Sequence, residues 1–155
     1  MEQIRIVGLA GSLRRASLNR GLIRAAAESA PAGITIDMLD LADIPLFNQD
    51  VEDAGEPASV AAFKQAIAMA DAVLVATPEY NHGVPGVLKN AIDRASRPRA
   101  TSPLEDKPIA IMGASPGHGA TARAQGAAPR HVRLHGCLCD ARPGAARRRG
   151  RDALL

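Results

Sequence analysis

Short apolar runs alternate with segments of helical periodicity through the first three quarters of the chain. The stretches 18–30, 58–70 and 85–96 carry apolar residues every three or four positions, as one face of a helix does. Strands that alternate with helices and are apolar almost throughout form a parallel sheet covered on both faces. We therefore expect a doubly wound α/β domain, with residues 42–57 as a loop. The predicted strands are IRIVGLA, GITIDMLDL, DAVLVAT and KPIAIMGAS.

The composition fits one domain with a sizeable core, because 46% of the 155 residues are hydrophobic and 23% are charged. No apolar run reaches the length of a membrane span, and the start of the chain does not resemble a signal peptide. We therefore expect a cytoplasmic protein that does not bind membranes. Aromatic residues make up only 2%, which disfavours the stacking surfaces that bind single-stranded nucleic acid.

The end of the chain has a different composition. From Gly117 onward it is rich in Arg, Ala and Gly, has no Lys, and carries only Asp140 and Asp152 as acids. Read one base forward, the codons of HVRLHGCLCD permit the apolar, strand-like sequence Met-Phe-Val-Phe-Met-Asp-Ala-Tyr-Val. We therefore expect a domain over residues 1–125 and an atypical tail over residues 126–155 that is frameshifted or disordered. The last strand and helix of the sheet would then be missing or altered, and IAIMGAS would be an exposed edge strand.

In an alternative interpretation, the tail as written is a small module that binds a metal or a nucleic acid. His131, His135, Cys137 and Cys139 are potential metal ligands, and RRRGR at 147–151 could bind phosphates. The Cys-x-Cys spacing is tighter than in zinc knuckles, and no apolar pattern surrounds it. We therefore predict no metal site and no nucleic-acid partner.

Ligands of a doubly wound sheet bind beyond the carboxyl ends of its strands. The loops there are GSLRRASLN, TPEYNHGVPG and GASPGHGAT, which follow the first, third and fourth predicted strands. The first can gather hydroxyl, amide, guanidinium and backbone N–H groups at a helix N-terminus, a combination that suits a phosphate. A purely structural role is also open, with Ser17 as an N-cap and Gly11 as a turn glycine. The loop has neither a Walker A nor a G-x-G-x-x-G pattern.

Together the first two loops resemble those of the NADPH-dependent FMN reductases, a flavodoxin-like family that includes quinone and chromate reductases and some azoreductases. The family pattern G-S-x-R-x-x-S-x-N is complete at residues 11–19, and P-E-Y-N-x-x-x-P-G-x-L-K-N is complete at residues 78–90. These motifs, with GASPG, cover the first three quarters of the chain. The resemblance implies a flavodoxin-like sheet and an FMN cofactor.

The resemblance also assigns the cofactor-binding residues. The 5′-phosphate of FMN is expected at the first loop and the isoalloxazine ring at the second, with the third loop approaching the ring or ribityl chain from the other side. The phosphate residues are Gly11, Ser12, Arg14, Ser17, Leu18 and Asn19; the ring residues are Pro78, Glu79, Tyr80 and Asn81; the third loop supplies Ser115 and Gly117.

No side chain is expected to act as a catalytic acid or base, because the cofactor supplies the chemistry. We expect Glu79 to contribute its backbone N–H rather than its carboxylate, and His82 to be a surface residue. Lys89 and Asn90 are expected to cap or pair along their helix. Arg94 stands where the family often has Trp, which changes the substrate mouth or a subunit interface.

The function implied by the resemblance is an FMN-dependent NAD(P)H oxidoreductase. NADPH or NADH would reduce bound FMN, and a small-molecule acceptor such as a quinone, chromate or an azo compound would then take the electrons. The family also implies a homodimer or homotetramer. Two alternatives stay open: a flavodoxin-like electron carrier without a nicotinamide site, and a reductase impaired by its altered C-terminus.

Overall fold

The computed structural model describes residues 3–117, 120–133 and 138–140, with side chains as far as residue 128. Strands and helices alternate along the chain as the sequence predicts. The strands are β1 (Ile4–Ala10), β2 (Ile34–Leu39), β3 (Ala72–Ala76), β4 (Pro108–Met112) and β5 (Leu138–Asp140). The helices are α1 (Leu18–Glu28), α2 (Gln49–Ala54), α3 (Ala58–Ala68), α4 (Gly86–Ala95) and α5 (Ala122–Arg133), with a 3₁₀ turn at Arg99–Thr101.

All neighbouring strands of the sheet are parallel, in the order β2-β1-β3-β4-β5. This is the flavodoxin-like strand order, in which the chain changes direction between β1 and β3. The fold prediction is therefore confirmed, and the β1/β3 switch point marks where a ligand binds in such a sheet.

Helices cover both faces of the sheet. On one face, Ile23 of α1 packs against Ala10 and Ala76 at the ends of β1 and β3. On the other face, residues of α3, α4 and α5 join the strands in the larger core. The side chains of Ile67 and Leu88 have no solvent exposure there. The carboxyl ends of β1 and β3 are thus held rigidly from both sides.

The region predicted as a loop over residues 42–57 contains the short helix α2, so that part of the prediction is wrong. Asn48 caps this helix by accepting a hydrogen bond from the backbone N–H of Asp50 at 2.9 Å. Gln49 donates to Asp53 one turn later, at 2.8 Å. Acidic residues in the first turn also favour the helix electrostatically. Six residues are too few to show an apolar periodicity.

The last strand of the sheet, which the sequence predicts to be missing or altered, is present. Leu138–Asp140 pairs in parallel with Pro108–Ala110, so β4 is not an open edge along its first three residues. The strand is short, at three residues. Helix α5 crosses the expected boundary at 125/126, and Ala128 is only 1% exposed within the larger core. Residues 134–137 and 141–155, which include the predicted site of the last helix, lie outside the described residues.

Candidate functional site

Three loops meet at the carboxyl ends of β1, β3 and β4. The sheet hydrogen bonding continues past the strands, because the backbone N–H of Gly11 donates to the carbonyl of Ala76 at 2.8 Å. In the same way, the N–H of Thr77 donates to the carbonyl of Met112 at 2.9 Å. The structure therefore brings together the three segments in which all predicted site residues lie.

The start of the first loop is tightly packed. A Cβ atom added to Gly11 would lie 3.1 Å from Cδ2 of Leu88 and 3.2 Å from Cδ of Pro78. Either contact is closer than side chains normally tolerate, so Gly11 lets β1 approach both α4 and the second loop. Its role in the structure is packing, and only its backbone is available to a ligand.

The first loop carries hydrogen-bond donors without acceptors. Ser12 is 7% exposed and Ser17 is 6% exposed, and neither hydroxyl donates to any group within the described residues. The backbone N–H groups of Leu18 and Asn19, in the first turn of α1, are also without acceptors there. The exposed guanidinium of Arg14 pairs with no described carboxylate. Unsatisfied donors and a cation at a helix N-terminus suit a phosphate monoester.

Ser17 serves the purely structural role that the sequence left open. Its Oγ accepts a hydrogen bond from the backbone N–H of Arg20 at 3.3 Å, which makes it the N-cap of α1. This contact uses the oxygen as an acceptor and leaves the hydroxyl proton free. The cap and a hydrogen bond to a ligand are therefore compatible.

The side chain of Asn19 is committed to the third loop. Its Nδ2 donates to the carbonyl of Ala114 at 3.0 Å, and its Oδ1 accepts from the N–H of Ala114 at 3.0 Å. The residue is 2% exposed. This reciprocal pair joins the first loop to the third across 95 residues of sequence.

The second loop is a tight hairpin turn. Tyr80 and Gly83 exchange backbone hydrogen bonds of 3.2 and 3.0 Å, and both residues between them have positive φ, 49° for Asn81 and 63° for His82. Such a turn places successive residues in the left-handed region, which Asn tolerates well. It presents Tyr80, 54% exposed, at the surface of the site.

The carboxylate of Glu79 is part of the structure, although the sequence favoured its backbone N–H. The side chain is only 10% exposed. It accepts hydrogen bonds from the backbone N–H groups of Arg123 at 2.9 Å and Ala124 at 3.2 Å, and lies 3.4 Å from the guanidinium of Arg123. Glu79 therefore caps the N-terminus of α5 from another part of the chain.

His82 is a surface residue, as predicted, with 74% of its side chain exposed. Its Nδ1 lies 2.9 Å from Nη1 of Arg123 and 3.7 Å from a carboxylate oxygen of Glu79. A guanidinium can only donate, so Nδ1 is the acceptor in this contact. The 3.7 Å contact with Glu79 is therefore proximity and not an ion pair.

The surroundings of Glu79 act on its pKa in opposite directions. Burial raises the pKa, whereas the N–H groups of Ala124 and Arg123 and the charge of Arg123 lower it. The net result is a pKa below the ordinary value of 4.5. A lowered pKa in the folded state stabilises the fold above the unfolded-state value, and that stabilisation is lost as the pH falls below 4.5.

We expect Glu79→Gln to lower the free energy of unfolding at pH 7 by about 1–2 kcal/mol, because an ionised acceptor is replaced by a neutral one. The difference from the wild type should shrink as the pH falls from 4.5 through the lowered pKa of Glu79, where the wild type loses the same charge. Urea unfolding at a series of pH values measures the loss of stability at pH 7 and its dependence on pH. The matched control is Glu105→Gln, an exposed carboxylate, which should change little. A difference independent of pH would contradict the assignment.

The third loop is crowded where it leaves β4. A Cβ added to Gly113 would lie 2.2 Å from Oγ1 of Thr121 and 2.5 Å from the carbonyl oxygen of Thr77. Further on, Ser115 turns back on the loop, because its Oγ accepts from the N–H of Gly117 at 3.2 Å. Ser115 is half-buried and Gly117 is exposed, so both lie at the surface of the site.

Two neighbouring polar residues of α4 have different roles. Lys89 pairs with Asp93 along the helix at 2.7 Å, as predicted. Asn90, however, does not pair along the helix: its Oδ1 accepts from the N–H of Phe47 at 2.8 Å, and its Nδ2 donates to the carbonyls of Ile44 and Pro45. Asn90 therefore fixes the loop that follows β2.

Arg94 fixes the same loop. Its Nε donates to the carbonyl of Pro45 at 3.1 Å and its Nη2 to the carbonyl of Leu46 at 2.6 Å. Its guanidinium also lies 5.3 Å from the centre of the Phe47 ring, and the residue is 3% exposed. Arg94 is thus a buried residue that holds this loop in place. The sequence gives no local sign of these contacts, which span more than 40 positions.

In the part of the chain that the structure describes, no group of three or more His, Cys, Asp or Glu residues could hold a metal ion. The side chains of the alternative metal module in the tail lie outside the described residues, so that alternative is untested. Among the described helices, none combines the length and the apolar character needed to cross a membrane.

Comparison with known proteins places these features in a family. The model of the family described as NADPH-dependent FMN reductase matches residues 4–139. An NAD(P)H-dependent FMN reductase of Pseudomonas aeruginosa is 48% identical over 124 residues, which are 80% of this chain and 66% of that protein. A 2-hydroxy-1,4-benzoquinone reductase of a Burkholderia species is also 48% identical, over 79% of this chain and 66% of that protein.

A solved structure supports the fold. The flavoenzyme NAD(P)H:(acceptor) oxidoreductase FerB of Paracoccus denitrificans superimposes with a TM-score of 0.90 at 35% identity, covering 98% of this chain and 83% of that one. The chain spans slightly less than two thirds of the length of the curated Pseudomonas aeruginosa and Burkholderia relatives.

Proposed function

The chain belongs to the NADPH-dependent FMN reductase family, and we propose that it binds FMN at the carboxyl ends of β1, β3 and β4 in order to oxidise NADPH or NADH. When bound, FMN accepts hydride from a reduced nicotinamide and passes the reducing equivalents to a second substrate. The observation that carries the proposal is the set of unsatisfied donors in the first loop, at the switch point of a flavodoxin-like sheet.

The chain's own residues bind and orient the cofactor in this proposal. The hydroxyls of Ser12 and Ser17 and the guanidinium of Arg14 hold the phosphate, together with the free N–H groups of the first turn of α1. Residues 78–81 line the ring with a turn held by its own backbone hydrogen bonds, and Ser115 and Gly117 approach from the third loop. No described side chain needs to act as an acid or a base, because hydride transfer is the chemistry of the cofactor.

A quinone is the acceptor best supported. Relatives at 46–48% identity are named quinone reductase and 2-hydroxy-1,4-benzoquinone reductase. Chromate and azo compounds are further acceptors to be assayed. An electron carrier without a nicotinamide site is the second candidate, and oxidation of NADPH by the FMN-loaded protein alone would exclude it.

The assembly and the cellular location belong to the same proposal. We infer a homodimer or homotetramer in the cytoplasm. Two exposed side chains with large apolar surfaces support the assembly: Leu46, in the loop after β2, is 79% exposed, and Tyr80, in the second loop, is 54% exposed.

The division of the chain at residue 125 also remains a proposal. The frameshift hypothesis concerns residues 126–155, and Ala128, which packs in the larger core, lies within that stretch. The gene sequence tests it, and a restored frame that raises activity would identify the present chain as an impaired reductase.

We expect Arg14→Gln to weaken FMN binding by about 10- to 100-fold, because a hydrogen bond to a charged group contributes about 1.5–3 kcal/mol. Riboflavin, which has no phosphate, should bind the variant as it binds the wild type. Quenching of flavin fluorescence measures both affinities. Arg24→Gln removes the same charge from an exposed position of α1 and should leave both unchanged. A wild-type protein that binds no FMN, or binds it without oxidising NADPH when a quinone is present, would overturn the proposed function.

A further inference from the structure

The Asn19 side chain connects the first and third loops of the candidate site. The first loop holds the unsatisfied donors, whereas Ala114 lies in the third loop, directly before Ser115. Both functional atoms of the Asn19 amide are engaged with the backbone of this one residue. The geometry points to Asn19 as a positioning residue whose side chain sets the distance between these loops, while only its backbone N–H faces the phosphate.

Hydrogen bonding separates Asn19 from the proposed phosphate ligands Ser12 and Ser17, since all three residues are buried. Asn19 is 2% exposed, and its Nδ2 and Oδ1 each have a partner at 3.0 Å. The hydroxyl protons of Ser12 and Ser17 have no acceptor among the described residues. The Asn19 side chain would have to break two hydrogen bonds before it could bind a ligand. The hydroxyls of Ser12 and Ser17 would have to break none in order to donate to one. The side-chain amide of Asn19 therefore stabilises the fold and is not available to a ligand.

The segment that Asn19 holds is fixed from other directions as well. Gly113 lies against the carbonyl of Thr77 and the side chain of Thr121, both of which are fully buried. Glu79 then secures the start of α5 just beyond. Asn19 supplies the contact from the first loop, so its loss frees Ala114 on the side that faces α1.

This inference rests on the proposed FMN site, and it makes a specific prediction about two flavins. A phosphate ligand affects FMN and leaves riboflavin unchanged, whereas a residue that positions the third loop affects both. We expect Asn19→Ala to weaken FMN and riboflavin by the same factor, about tenfold, because the released third loop must be ordered again when either flavin binds. Arg14→Gln is the matched comparison, because it should weaken FMN alone.

The experiment measures both dissociation constants by fluorescence quenching for the wild type and the two variants. Equal weakening in Asn19→Ala supports the positioning role. Weakening of FMN with riboflavin unchanged would make the amide a phosphate ligand and overturn it, as would unchanged affinity for both flavins.

Hydrogen exchange of the cofactor-free protein tests the same contact without any flavin. The amide of Ala114 should be protected in the wild type and should exchange rapidly in Asn19→Ala. Rapid exchange in the wild type would refute the inference. This measurement does not need the variant, so it is decisive even if Asn19→Ala does not fold. If the wild type bound neither flavin but its Ala114 amide were protected, the proposed function would be wrong. The role of Asn19 in joining the two loops would still stand.

Discussion

Replacing Gly113 by alanine should destabilise the protein by about 3 kcal/mol, because the new methyl group has no space. Its Cβ would lie 2.2 Å from Oγ1 of Thr121, 2.9 Å from Cβ of Thr121 and 2.5 Å from the carbonyl oxygen of Thr77. Neither neighbour can move easily. Thr77 is held by the sheet and donates from its Oγ1 to the carbonyl of Pro78 at 2.8 Å, while Thr121 accepts from Gln125 at 2.6 Å.

Thermal unfolding measures this effect, and a loss of that size should lower Tm by about 10 °C for a chain of this length. Gly126→Ala is the matched control. It lies in α5, and among the described residues no atom outside its chain neighbours and the backbone of its own helix lies within 4 Å of the added Cβ. The same substitution should therefore stabilise by about 0.5–1 kcal/mol through helix propensity. Equal effects of the two substitutions would refute the crowding at Gly113.

The parts of this fold that follow from periodicity could be read from the sequence, and the contacts between distant segments could not. The first four strands and three of the helices are long and regular enough to show their pattern. Helix α2 depends on an Asn cap and on two side-chain contacts of Gln49, with Glu52 and Asp53, within six residues, which leaves no periodic signal. The strand β5 has three residues, fewer than a pattern requires.

The location of the candidate site was predictable for a general reason: parallel strands place their following loops at one edge. The role of each side chain was not. Asn19, Glu79 and Asn90 are all polar residues within family motifs, and each forms its principal contacts 43 or more positions away. A sequence motif contains both the residues that touch a ligand and the residues that hold the loops. It does not distinguish the two kinds, because both depend on the same backbone geometry.

Leu88→Ala should produce the other large loss of stability, about 2–5 kcal/mol, because it removes a fully buried side chain and leaves a cavity. Leu88 packs at the first turns of α4 against Gly11, where β1 passes into the first loop. The cavity would therefore open beneath the meeting point of the first two loops. Urea unfolding measures the loss, and Leu46→Ala, at a position 79% exposed, should change the free energy of unfolding by no more than about 0.5 kcal/mol. If the protein unfolded at the same urea concentration in both variants, Leu88 would not be the support that joins the core to the site.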